Sequence, residues 1–118
     1  MRQPPDLATL RAAWWARGAL RTTRQALARG EVRDIAVPAP PSLPVSAVRG
    51  VDAVLRREAP TCLERALVRQ RWLAAHGDQR AIAIGVTAPS RGFAAHAWLV
   101  GDEDPVAPAF LELTRLEP

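Results

Sequence analysis

The chain has no lysine and no asparagine, and only one of its 118 residues is cysteine. A single cysteine excludes an internal disulfide and a multi-cysteine metal site, leaving a buried small hydrophobe or a reactive thiol. All sixteen basic residues are arginine, a skew that a GC-rich coding sequence produces without functional cause, so the formal net charge of +4 is discounted. The arginines run from Arg2 to Arg115 without forming a block. Neither a recognition helix nor basic, aromatic-lined strands are evident, which argues against nucleic acid as a partner. No apolar run approaches the roughly 20 residues of a membrane span, and the N-terminus lacks the regions of a secretory signal, so the expected location is the cytoplasm, with no membrane partner.

What is present is an ordinary globular balance, 48% hydrophobic and 24% charged, in a length that suits one domain, residues 1–118, and one site. Asp6 to about Arg29 reads as an amphipathic helix, capped by Asp6 and ended by Gly30, within an N-terminal segment 1–30. Its stripe suits either packing on the core or docking a partner. Pro38, Pro40, Pro41 and Pro44 make 31–45 an extended connector. The catalytic core is then expected over 46–118. A short helix spans Ser46 to about Glu58 and is closed by Pro60; a second runs from Cys62 to about His76 and stops near Gly77. After it the period changes to two. Ala81–Thr87 and Phe93–Val100 are expected to form an antiparallel hairpin across a turn at Ala88–Gly92, and Phe110–Leu116 a third strand after a turn at Gly101–Pro105. Helices followed by an antiparallel sheet predict an α+β fold.

Thr61-Cys62-Leu63-Glu64 has the form of a capping box, which puts Cys62 at the first helical position. A sulfur there lies beside unpaired N–H groups and the positive end of the helix dipole, both of which favour thiolate. Burial and the charge of Glu64 oppose this, although capping turns that charge toward the backbone. His96, in the strand Phe93-Ala94-Ala95-His96-Ala97-Trp98 and flanked by small residues, is the candidate base. His76 lies at a helix end, where a cation suits the C-terminus, and is read as structural. One Cys and two His without ligand spacing give no metal site. An acid is needed on the far nitrogen of His96. A turn centred near Asp104 would bring Glu112 across from His96, so Glu112 is the expected third member. Asp104 is the reserve, lying several residues beyond His96 and some 20 Å away along an extended strand.

Three segments together, Pro60-Thr61-Cys62-Leu63-Glu64-Arg65-Ala66-Leu67, Ile84-Gly85-Val86 and Phe93-Ala94-Ala95-His96-Ala97-Trp98-Leu99, resemble the lasso-peptide leader peptidase. This is the peptidase half of the split lasso-peptide B protein, in the transglutaminase-like (papain-like) superfamily. The resemblance is strongest over residues 58–100. It implies a cysteine peptidase that removes the leader from a ribosomally made precursor through a thioester, with Cys62 as nucleophile, His96 as base and no metal or organic cofactor. The partners it implies are the precursor, a small leader-recognition companion and, in a later step, a separate ATP-dependent cyclase. The family commonly places an Asp after the histidine hairpin, where this chain reads Pro105-Val106-Ala107-Pro108. Two other readings keep the same residues: an acyltransferase using an amine in place of water, and a non-catalytic module that binds precursor or partner.

Overall fold

The computed structural model describes residues 4–87, 92 and 94–118. Three helices precede a small antiparallel sheet: α1 (Leu7–Ala28), α2 (Val48–Glu58) and α3 (Cys62–Ala75), then β1 (Ile82–Val86), β2 (Ala95–Leu99) and β3 (Leu111–Leu116). The α+β architecture is the one expected. The turn residues Ala88–Arg91 and Phe93 lie outside the described residues.

The Asp6 side chain caps α1 by accepting from the Thr9 amide at 2.8 Å. The inward stripe of α1 (Ala12, Trp15, Ala16, Ala19 and Leu20) packs on Val51 and Leu55 of α2 and on Val68 and Trp72 of α3. Small residues on that stripe let α2 come close. A Cβ at Gly50 would collide with the Thr9 carbonyl oxygen and stand 2.9 Å from the Ala13 amide nitrogen, so the contact admits no side chain.

The connector is extended, as its prolines require, and it is lashed down. Prolines lack N–H groups but keep their carbonyls, so donors must come from elsewhere. Trp15 Nε1 donates to Pro38 O at 3.0 Å, and Arg71 Nε to Val37 O at 3.2 Å. His76 faces two carbonyls, Trp72 O from Nδ1 at 2.8 Å and Leu43 O from Nε2 at 2.9 Å, so it joins the end of α3 to the connector.

α2 stops because Pro60 follows. The preceding Ala59 takes a left-handed conformation (φ 45°), which turns the chain sharply into α3. Arg24 of α1 braces this corner: Nη2 donates to the freed Glu58 carbonyl at 2.9 Å, and Nε to Glu64 at 3.2 Å.

The sheet order is β2-β1-β3. β1 is central because it is the most apolar strand; Ile82 and Ala83, on opposite faces, are both fully buried. One face of the sheet packs on α3 through Ile82, Ala97 and Leu99 against Ala66 and Leu67. β1 and β2 pair antiparallel, as expected for the hairpin. The third strand does not follow the expected register. β3 pairs with β1, with a bulge between Ile84 and Gly85, and not with β2. A tight hairpin from β2 to β3 is blocked by the intervening chain. It turns at Gly101 (φ 96°), then carries Pro105 and a short 3-10 turn at Ala107–Ala109, and only then enters β3 on the far side of β1.

Gly50→Ala is expected to destabilise the fold by about 2–4 kcal/mol, because the added methyl meets helix backbone that has nowhere to move. Urea denaturation followed by circular dichroism checks this; a loss under about 0.5 kcal/mol would contradict the contact.

Candidate active site

Cys62 is the first residue of α3. Its placement rests on a complete capping box, in which the Glu64 amide donates to Thr61 Oγ1 at 3.2 Å and the Thr61 amide to Glu64 Oε1 at 3.0 Å. Glu64 Oε1 also takes Arg24, so its charge is turned away from the thiol and paired. Among the described residues, the N–H groups of Cys62 and Leu63 have no acceptor. They leave two donors at the mouth of the helix.

Across from the thiol runs the outer edge of β2. In the β1–β2 ladder the bonds from Thr87 N to Ala94 O and from Val100 N to Ala81 O fix the parity, so the Ala97 N–H points away from β1. That open N–H donates to Cys62 Sγ at 3.4 Å. The sulfur therefore sits against the residue that follows His96, with positive partial charge directed at it from both the helix start and the strand edge. This is how a partly buried cysteine is brought to the strand that carries His96, 34 positions away in sequence.

His96 Nε2–H donates to Asp104 Oδ2 at 2.8 Å. The other Asp104 oxygen accepts the amides of Val106 at 2.9 Å and Ala107 at 3.2 Å, so the carboxylate is held by backbone on one side and offered to the imidazole on the other. The hydrogen bond from His96, helped by those amides, holds the Asp104 carboxyl below its ordinary value of 3.8. The chain reaches this position because it reverses at Gly101 and is pinned there. Asp102 takes Arg69 of α3 and Arg80 ahead of β1, each at 2.6 Å.

Glu112 is not beside His96. Both residues are register partners of Gly85, but on opposite sides of β1, which separates their backbones by about 10 Å. The Glu112 carboxylate is engaged at the surface by Arg115, at 2.7 and 3.2 Å. The expected cross-strand approach of Glu112 is thus corrected in favour of Asp104. The reason is the chain reversal at Gly101, which shortens the reach that a straight strand would have denied to Asp104.

Other contributors carried no clear sign in the sequence. The Trp98 ring stacks on the His96 ring (centroids 5.6 Å, 18° between planes), and Phe110 packs on it at 5.1 Å. Trp98 lies two residues along the same strand face, a spacing that could have disclosed it; Phe110 arrives from the far side of β1. The two aromatics close over Gly85, where a Cβ would stand 2.8 Å from Leu111 O, 3.1 Å from the Phe110 Cβ and 3.1 Å from the Trp98 ring. Gln70, a tempting polar residue on α3, instead donates to Arg80 O and Leu116 O and ties the helix to the sheet. Among the described residues, no group of three or more His, Cys, Asp or Glu is arranged to hold a metal ion. No helix there is long and apolar enough to cross a membrane.

A carboxyl whose folded pKa is depressed adds stability above its unfolded value, and that contribution disappears as pH falls through the folded value. Wild type is therefore expected to be more stable than Asp104→Asn above pH 3.8, with the difference shrinking as the pH falls below it. Urea midpoints across an acid series test the sign; a gap that widened on acidification would contradict the Asp104–His96 link. Gly85→Ala is expected to cost about 1–3 kcal/mol by forcing β3 and the two aromatics apart, measured as a fall in thermal midpoint with loss of near-ultraviolet aromatic dichroism.

No curated protein and no solved structure matches this chain. The family model of the transglutaminase-like superfamily matches residues 7–116. Domains of this kind are typically cysteine-based proteases or acyltransferases, which suits a thiol at the start of a helix beside the edge of a strand whose histidine holds an aspartate, and this chain belongs to the transglutaminase-like superfamily.

Proposed function

We propose that this protein is a cysteine peptidase that removes the leader segment from a ribosomally made lasso-peptide precursor. The observation that carries the chemistry is the chain of contacts from Cys62 Sγ to the Ala97 amide and from the neighbouring His96 to Asp104. The resemblance of the segments around Cys62, Gly85 and His96 to the lasso leader peptidases supports the choice of substrate.

In the proposed reaction the Cys62 thiolate attacks the scissile carbonyl carbon. The N–H groups of Cys62 and Leu63 receive the oxyanion. With Nε2–H donated to Asp104, Nδ1 of His96 holds the proton taken from the Cys62 thiol and passes it to the leaving amine nitrogen as the C–N bond breaks. The acyl group remains on sulfur as a thioester. Water, losing its proton to His96, then attacks the thioester carbonyl; the leader is released as a carboxylic acid and the thiol is restored. Asp104 holds the ring in one orientation throughout, and Trp98 and Phe110 restrict its rotation and shield it from water. In this reading a small companion presents the precursor in the cytoplasm, and a separate cyclase acts on the shortened product.

The test is mass spectrometry of the cognate precursor incubated with the protein and its companion. Cleavage at one bond is expected for wild type. Cys62→Ala and His96→Ala should each lose at least about 10³-fold in rate, Asp104→Asn about 10²-fold, and Glu112→Gln less than about twofold. Equal processing by Cys62→Ala would remove the peptidase reading and leave a binding module. A product carrying a new amide in place of a free carboxylate would identify an acyltransferase.

A further inference from the structure

The sequence of α1 contains four arginines and no acidic residue. Arg24 is spent on the corner between α2 and α3, but Arg11, Arg17 and Arg21 are exposed. Between them, Leu7, Leu10 and Trp14 form an outward stripe at i, i+3 and i+7, and are 74%, 54% and 78% exposed. The contrast with Trp15 is sharp: that ring is 8% exposed and bonded to the connector, whereas Trp14 has no such employment.

One turn beyond Trp14 lies Gly18. Glycine in the middle of an exposed helix costs about 1 kcal/mol relative to alanine. Among the described residues a Cβ added there meets nothing within 4 Å, so packing against them gives no reason for it. Its geometric effect is a notch of about 330 Å³ against the Trp14 flank, lined by Trp14, Arg17, Gly18 and Arg21. The notch adjoins a groove of about 430 Å³ between α1 and α2, whose walls include Leu10, Trp14, Arg17, Val54, Arg57 and Glu58, the last with its carboxylate 4.0 Å from the Arg24 guanidinium.

We infer that this groove docks an acidic amphipathic helix of a partner protein. An aliphatic side chain of the partner enters the notch beside Trp14, and its carboxylates meet Arg17, Arg21 and Arg57. Charge decides among occupants. A second copy of this chain would set one cationic α1 against another, which like-charge repulsion disfavours. A lipid surface calls for a convex apolar face with cations at its border, whereas here the arginines stand in the walls of a concavity. The inference goes beyond the peptidase reading and does not depend on it, since the groove makes no use of Cys62 or His96.

The probe is a designed, fluorescently labelled helical peptide with leucines at i, i+3 and i+7 and glutamates between, titrated with the full-length protein and followed by anisotropy. Its lysine-for-glutamate counterpart and vesicles of phosphatidylcholine with phosphatidylglycerol serve as comparators. The acidic peptide is expected to bind, with affinity falling as salt rises, and the lysine peptide is not. Arg17→Glu combined with Arg21→Glu, and separately Trp14→Ala, should each weaken binding by about tenfold or more. Gly18→Leu gives a signature that damage to the fold cannot mimic: the thermal midpoint holds or rises while binding weakens. All of these variants should retain wild-type alkylation of Cys62 by iodoacetamide. Absence of acidic-peptide binding, equal binding of both peptides, unchanged binding by the variants, or preferential capture by anionic vesicles would each overturn the assignment.

Discussion

The first turn of α3 is the joint on which the rest of this small protein depends. Four backbone N–H groups at a helix start need partners or a purpose. Here Thr61 and Glu64 satisfy the reciprocal pair, and two amides are left facing out beside the cysteine. The joint is held from three directions. Pro60 and the left-handed Ala59 set the angle at which the chain enters, Arg24 fastens the corner to α1, and the Ala97 amide meets the sulfur from the sheet. Arg24 does two jobs at once, since the carboxylate it pairs is the one whose free charge would oppose a thiolate next door.

The second constraint is that three strands can have only one central member. β1 has apolar residues on both faces and takes that place, so β2 and β3 become edges. One consequence is chemical: an edge strand keeps outward N–H groups, and β2 uses one of them, at Ala97, to meet the thiol. Another is steric, because Phe110, just ahead of β3, reaches the His96 ring over β1 at Gly85, where a side chain would meet both Phe110 and Trp98. A third is that the two acids available to His96 are sorted by topology. Glu112 lies across the central strand, while Asp104 lies in the chain that leaves β2 and folds back over it.

Much of this was readable in the linear sequence because it is local. Asp6 capping α1, the Thr61–Glu64 box, the stop at Pro60 and the extended proline connector each depend on residues within a few positions of one another, where backbone sterics and short-range hydrogen bonds decide the outcome. The pairing of β1 with β2 was readable for the same reason, as consecutive period-two runs joined by turn residues. The position of Cys62 at a helix start followed from the box alone.

The partner of β3, and with it the acid beside His96, was not local. A strand's register depends on which neighbour buries its face best, and 11 residues with two prolines between β2 and β3 made the nearest strand in sequence the wrong one in space. The roles of Arg24, Phe110 and Gly85 likewise exist only after α1, β1 and β3 have been brought around the site, since each acts on an atom far from it in the chain. The amino-acid sequence by itself determined the helices, their caps and the chemical character of Cys62 and His96. Only the tertiary structure decided that Asp104 and not Glu112 faces the imidazole, because that choice depends on closing a non-local strand pair whose energy no short segment contains.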